Sequence, residues 1–300
     1  MSREWRGFHR PLRQRSPARH VPVTPVERSI TLRDGFRLAL RVWTPGEGTR
    51  RRGTIVIAHG LGEHAGRYAQ LAHDLAEVGW EVHAADHRGH GRSIGPRGVI
   101  PAQESIRDDL LESLVYARST AMRPVILLGH SMGGAMAAWA IAHQPKAADA
   151  LVLSSPALRA DLSSIQRLLI STIGRVHPDM IVTNGLDANY ISHDPAVVKA
   201  YRDDPLVHDR VSPRLAQAII TAGDVVRAAA ATWSTPTLLL FAGADRLVNP
   251  GGSLDFAQAA PESIVTALRF DTLYHEIFNE IGREAPLRAL LDWLTSRATA

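Results

Sequence analysis

The 300-residue sequence contains no cysteine. Thiol nucleophiles, cysteine-ligated zinc and iron–sulfur clusters are therefore excluded, and so is a disulfide-stapled secreted scaffold. No apolar run approaches the ~20 residues that a membrane-spanning helix needs, and the N-terminus lacks the apolar stretch of a secretory signal. These absences give the expectation of a cytoplasmic protein. One-signed charge is also scarce once it is located. Residues 1–20 hold Arg3, Arg6, Arg10, Arg13, Arg15 and Arg19 against Glu4, a balance of +5, so the other 280 residues carry −1 of the total +4. A body this close to neutral is not expected to have a nucleic-acid partner. With Pro11, Pro17, Pro22 and Pro25 among its basic residues, the stretch 1–25 reads as a disordered leader.

What is present is 45% apolar residues, enough to fill a core, arranged in alternating short and long segments. Glu27–Leu32 and Phe36–Thr44 flank Asp34-Gly35, a pair suited to the positive φ of a hairpin turn. Short apolar runs follow at Thr54–Ala58, Val82–Ala85, Val125–Leu128 and Leu151–Ser154, separated by helical stretches near 67–78, 103–120 and 132–143. Strand–helix–strand repetition at this spacing predicts a parallel sheet with right-handed crossovers. Thr237–Phe241 and Val265–Phe270, with helices near 251–260 and 284–297, continue the alternation. Residues 156–233 show helical periodicity and no strand-like run. An insertion of that length is expected to form a helical cap over the ligand end of a core built from 26–155 and 234–300.

The chemistry centres on Gly129-His130-Ser131-Met132-Gly133, a G-x-S-x-G motif between a buried strand and an Ala-rich helix. A serine on a strained strand-to-helix turn needs glycine on both sides, where a Cβ would strike neighbouring backbone. Its hydroxyl also needs a histidine base, and the histidine needs a carboxylate to hold its tautomer. In this arrangement the acid and then the histidine follow later strands. Asp245 comes just after Thr237–Phe241, and His275 comes just after Val265–Phe270. Asp271 is too close to His275 to orient it. His130 leaves the turn in another direction, and His193 and His208, away from strand ends, read as solvated surface residues. Two backbone N–H groups must meet the oxyanion. Met132 supplies one, and Leu61, in the turn His59-Gly60-Leu61-Gly62, supplies the other.

No metal is expected. His83-Ala84-Ala85-Asp86-His87-Arg88-Gly89-His90 approximates a binuclear metallohydrolase cluster but has Ala84 where a histidine is required. Asp86 and Arg88 are instead expected to satisfy loop backbone in a buried turn. No cofactor is needed for the acyl-transfer chemistry.

Together these segments resemble the monoacylglycerol lipase and lysophospholipase branch of the α/β-hydrolase fold, among the serine aminopeptidase S33-like hydrolases. The resemblance runs from about residue 25 to the end. It rests on His59-Gly-Leu-Gly-Glu63-His64-Ala-Gly-Arg67-Tyr68, which is the segment most specific to this branch. It also rests on Asp86-His-Arg-Gly-His-Gly-Arg-Ser93, Gly129-His-Ser-Met-Gly-Gly134, Leu153-Ser-Ser-Pro156, Gly243-Ala-Asp245 and Tyr274-His275. It implies an α/β fold with a mostly parallel eight-stranded sheet, flanking helices and a helical cap. Ser131 would be the nucleophile, Asp245 the acid, His275 the base, and Leu61 and Met132 the oxyanion donors, acting on a lipid monoester. The family places Glu63 and Arg67 near the polar end of the acyl pocket, where they could form a scaffolding ion pair or bind a head group. Members near the animal enzymes carry a second polar histidine one turn beyond the base, where this chain has Phe278.

Leu162, Ile165, Leu168, Leu169, Ile173 and Val176 fall at near-helical spacing and form one apolar face. Leu162, Ile165 and Leu169 are expected to line an acyl tunnel, or the same face to dip into a membrane as a peripheral contact. Packing against the body is the alternative. The segment 156–233 holds eight Asp, no Glu and eight Lys plus Arg, a balance that offers nothing to the ammonium group of an aminopeptidase substrate. A non-lipid esterase, an acyltransferase that excludes water, and a non-catalytic binding protein of the same fold are the competing functional readings.

Overall fold

The hairpin at the start forms as the Asp34-Gly35 pair requires. Gly35 has φ +82°, and the Asp34 carboxylate accepts the Phe36 N–H at 2.9 Å. The computed structural model describes residues 24–160 and 172–297, so the leader through residue 23 lies outside the described residues. Strands β1 (Val26–Thr31), β2 (Arg37–Trp43), β3 (Gly53–Ala58), β4 (Trp80–Ala85), β5 (Val125–His130), β6 (Ala150–Ser154), β9 (Thr237–Ala242) and β10 (Val265–Phe270) form one sheet. Its order is β1-β2-β4-β3-β5-β6-β9-β10. β2 runs antiparallel to both of its neighbours, and the remaining pairs are parallel. Where the sequence predicts α/β alternation, the structure has helices α1 (Ala69–Glu77), α2 (Ser105–Thr120), α3 (Met132–His143), α6 (Gly251–Ala259) and α7 (Glu284–Arg297).

Central strands are buried on both faces, as their unbroken apolar runs demand. Period-two alternation divides their side chains between two cores. Val56, Ala58, Leu127, Leu153 and Phe241 pack on one side with α2 and α3. Ile55, Ile57, Leu128, Val152 and Leu240 pack on the other with α1 and α7. Every residue of α3 from Met132 to Ile141 is buried, which explains a helix that is apolar on all faces.

The segment 156–233 departs from expectation in two ways. It holds a two-stranded antiparallel pair, β7 (Val182–Thr183) with β8 (Arg210–Val211), and strands of two residues are too short to leave an alternation in sequence. It also holds α4 (Pro195–Asp203) and α5 (Pro213–Ala229). Both start on a side-chain cap followed by proline, Asp194 accepting from Ala196 and Ser212 from Leu215, the arrangement helix N-termini favour. The buried stripe Leu215, Ala218, Ala222 and Val226 places α5 in the core cluster with α3. One face of α5 therefore packs on the body, while Ile219 and Ile220 of the same helix line the cavity described below. Among the described residues, no helix is long and apolar enough to cross a membrane.

Candidate active site

Ser131 sits between β5 and α3 at φ 55°, ψ −123°, a conformation that costs a non-glycine residue ~1–3 kcal/mol and persists only where the surroundings enforce it. The enforcing contacts are visible at the flanking glycines. A Cβ on Gly133 would lie 2.2 Å from the Ala58 carbonyl oxygen and 2.3 Å from that of His59. One on Gly129 would lie 2.5 Å from the Gly133 carbonyl oxygen. The helix starts immediately after the serine, so the Met132 N–H has no carbonyl one turn earlier in α3 to accept it.

His275 follows β10, and its Nδ1 lies 2.7 Å from Asp245 Oδ2, with both side chains almost fully buried. Oδ1 of Asp245 accepts the N–H groups of Leu247 at 2.9 Å and Val248 at 3.0 Å. With Nδ1–H committed to the carboxylate, Nε2 carries the lone pair that a general base requires. Burial opposes charge on His275, but Asp245, with Glu276 and Glu63 adding to it, outweighs burial and raises its pKa above the ordinary 6.5. Burial likewise opposes charge on Asp245, and His275 with the two N–H donors lowers its pKa all the same.

Ser131, His275, Asp245, Leu61 and Met132 all line one cavity of about 630 Å³. Its walls include Leu158, Ile219, Ile220, Leu247 and Val248, and Asp245 is the only acid among the described residues that line it, alongside Arg159 and Arg246. The turn carrying Leu61 abuts the serine, since a Cβ on Gly60 would lie 3.3 Å from Ser131 Cβ. This turn is braced from three sides. Gly60 N–H donates to Glu63 Oε1 at 2.6 Å, and His59 Nδ1 donates to the Gly60 carbonyl at 2.8 Å. The Gly62 carbonyl accepts the His208 N–H at 2.8 Å.

Glu63 and Arg67, read from the sequence as either a scaffolding ion pair or head-group ligands, are paired, with Arg67 Nη1 2.7 Å from Glu63 Oε2. Two further partners were not foreseen. Arg67 also forks onto Glu276, at 2.5 and 2.7 Å, and lies over the Tyr201 ring, 4.6 Å from its centroid. Tyr68 Oη–H donates to Glu63 Oε1 at 2.7 Å. Burial opposes ionisation of Glu63, yet Arg67 and these donors hold its pKa below the ordinary 4.5. The pair therefore links the turn that carries Leu61 to the residue that follows His275.

His130 is buried against Ser154, and its ring centroid lies 4.7 Å from that of His275. Burial and the neighbouring imidazole push its pKa down to about 4, which keeps it neutral. Asp271 pairs with Arg269 on the surface. His208 is not solvated as expected. Its ring packs on His90 with centroids 4.7 Å apart, and Nε2 is buried with no hydrogen-bond partner among the described residues. His193 is exposed, but its Nδ1 is bound to Glu280 at 2.7 Å. Asp86 does satisfy loop backbone, accepting from Ala65 at 2.7 Å and Arg92 at 2.7 Å. Arg88 does not, because its fork is taken up by Asp109 and Asp34; a guanidinium buried near carboxylates prefers the bidentate pair. Leu162, Ile165, Leu168 and Leu169 lie outside the described residues. Glu276 and Glu280 are given no role from the sequence, although two acids within the apolar stretch directly after His275 are a signal that points to them.

The profile of a family described as serine aminopeptidase, S33 matches residues 49–282. The monoacylglycerol lipase of Mycolicibacterium smegmatis is 36% identical over 280 residues, spanning 92% of this chain and 99% of that protein. The monoglyceride lipase of Rattus norvegicus is 32% identical over 271 residues, spanning 88% of each. Among solved structures, the monoacylglycerol lipase of Paleococcus ferrophilus superposes with a TM-score of 0.78 at 34% identity, covering 86% of this chain and 98% of that one.

Proposed function

The chain belongs to the serine aminopeptidase S33 family of α/β hydrolases, and from that premise we propose that it is a serine carboxylester hydrolase cleaving lipid monoesters of the monoacylglycerol or lysophospholipid class. One observation carries the reading. A serine strained to φ 55° shares an apolar cavity of about 630 Å³ with a histidine already bound to a carboxylate at 2.7 Å. Ser131 attacks the ester carbonyl while His275 Nε2 takes the hydroxyl proton and Asp245 stabilises the imidazolium. The N–H groups of Leu61 and Met132 hold the oxyanion. The intermediate collapses as the alcohol departs with the proton from His275. Water, deprotonated by the same histidine, then attacks the acyl-enzyme and releases the fatty acid and Ser131.

The family's name invites a peptidase reading, and the cavity argues against it. An aminopeptidase needs an anionic group for the substrate ammonium, yet the one acid among the described lining residues is engaged by His275, and Arg159 and Arg246 would repel a cation. An acyl chain, by contrast, gains ~0.8 kcal/mol for each methylene buried on such walls. The test is hydrolysis of a graded panel of monoacylglycerols, lysophospholipids, p-nitrophenyl esters and aminoacyl p-nitroanilides, with Ser131→Ala and fluorophosphonate labelling alongside. Ester turnover and labelling that both vanish in folded Ser131→Ala are expected. Preferential cleavage of the anilides, or labelling that persists in the variant, overturns the reading.

A further inference from the structure

Glu280 takes no part in the steps above, yet its side chain is fully buried and no arginine or lysine pairs with it among the described residues. Buried carboxylates need strong compensation, and here it comes from convergent donors. Oε1 accepts the Tyr274 N–H at 2.7 Å and His193 Nδ1 at 2.7 Å. Oε2 accepts the Ile281 N–H at 3.0 Å and the His193 N–H at 3.1 Å. Ser192 Oγ stands 3.4 Å from Oε2 and donates to the Asn279 carbonyl at 3.0 Å.

These donors come from two separate stretches. Tyr274 and Ile281 bracket the loop that carries His275, while Ser192 and His193 lead into α4. The same two stretches also meet through Glu276 N–H to the Ile191 carbonyl at 2.8 Å and through the His193 ring stacked on Tyr274, with centroids 3.6 Å apart. The loop of the acid joins them, because the Arg246 guanidinium lies over the rings of Tyr190 at 4.8 Å and Tyr274 at 5.8 Å.

We propose that Glu280 is a positioning residue for the base: by gripping the Tyr274 peptide and the 192–193 segment together, it holds His275 in register with Asp245 and Ser131. The inference rests on the reading of His275 as the general base. Its logic is stereochemical. Each carboxylate oxygen faces two N–H donors, so a carboxamide must point its NH₂ group at donors whichever way it turns. On the Oε2 side both donors are fixed peptides. On the Oε1 side only the imidazole can adapt, by exchanging tautomers, and the Tyr274 N–H is left facing another donor. Glu280→Gln should therefore release the peptide directly before the base. Misplacing a catalytic group by about 1 Å costs roughly 100-fold in rate.

Wild type, Glu280→Gln and His193→Ala are compared well below their melting temperatures, using p-nitrophenyl butyrate kinetics from pH 5 to 9 and the rate of fluorophosphonate labelling. For Glu280→Gln we expect kcat to fall about 10- to 100-fold with KM within about twofold, and labelling to slow in parallel. The acidic limb should move to lower pH as His275 loses part of the rise that Asp245 gives it. His193→Ala, which alters only an exposed side chain, covers the case in which the glutamine variant does not fold. It should show the same kcat-only loss at about 3- to 10-fold, since one of the four close donors is gone. A lowered melting temperature with kcat within twofold and an unmoved limb would make Glu280 a stabilising residue only and overturn the proposal. A wild type that neither labels nor hydrolyses the ester defeats the proposed function instead, so the two failures are distinguishable.

Discussion

Removal of Arg67 should expose how much of the site's rigidity is electrostatic. Its guanidinium is almost wholly buried, as are Glu63 and Glu276 on either side. In Arg67→Met the aliphatic bulk is kept, but two buried carboxylates face each other with no cation between them. Deleting one partner of a buried pair costs ~3–5 kcal/mol. At ~2.1 cal/mol/K of unfolding entropy per residue, 300 residues give about 0.6 kcal/mol/K, so the melting temperature should fall by about 5–8 °C. Lys199→Met supplies the contrast, because that residue's bond to Asp203 joins two exposed groups and such pairs contribute less than about 1 kcal/mol. Acidification adds a check of sign. Glu63 has a depressed pKa in the native protein, so its contribution is present above the unfolded value near 4.5 and is lost as pH falls through the folded one. In Arg67→Met, repulsion between the carboxylates raises the pKa of one of them, and protonation then relieves the variant. The gap between the two proteins in urea unfolding should therefore narrow as pH falls, first above about pH 4.5 as the variant's raised carboxyl takes up its proton, and then below it as the wild type loses the Glu63 contribution. A loss no larger than that of Lys199→Met, or a gap that widens in acid, would refute the claim that Arg67 offsets two ionised carboxylates.

The pH–rate profile of the wild type should have its acidic limb above 6.5, because the base works only when neutral and Asp245 raises its pKa; initial rates of ester hydrolysis from pH 5 to 9 check this. Gly133→Ala places a methyl group on the Ala58 and His59 carbonyls, which pushes the turn carrying Leu61 away from Ser131. Overpacking of this kind costs ~1–3 kcal/mol of stability, and we expect kcat/KM to fall about 100-fold in protein that still melts cooperatively. Glu63→Gln should lose activity equally on a monoacylglycerol and on the methyl ester of the same chain length. Both Glu63 oxygens are already occupied by Gly60, Tyr68 and Arg67, and selective loss on the glycerol ester would show head-group recognition instead.

The parts of this molecule that could be read from sequence are those whose cause is local. The hairpin follows from Asp34-Gly35, the sheet from apolar runs a strand long, and the elbow from glycines that flank a serine at fixed offsets. What escaped depends on partners far along the chain. Arg67 finds Glu276 across 209 positions, and His193 finds Glu280 across 87. His208 shows the limit most sharply. It sits in the loop-like stretch Pro205-Leu-Val-His-Asp-Arg210 with no periodicity to mark it, which is how a solvated histidine looks, yet its backbone holds the Gly62 carbonyl and its ring rests on His90.

The same division explains why candidates for the reacting groups could be named more easily than the residues that would hold them in place. A nucleophile, a base and an acid are each recognisable because the reaction demands a residue type at the end of a strand. Keeping them in register makes no such demand. Any carboxylate that reaches the Tyr274 N–H would serve, and only the folded chain shows that Glu280 does so while also gripping His193. Burial then makes the choice consequential, since the low-dielectric interior that strengthens these bonds also penalises any group left without one. Around this site, therefore, the residues that hold the reacting groups should be as intolerant of isosteric change as the reacting groups themselves, although no motif announces them.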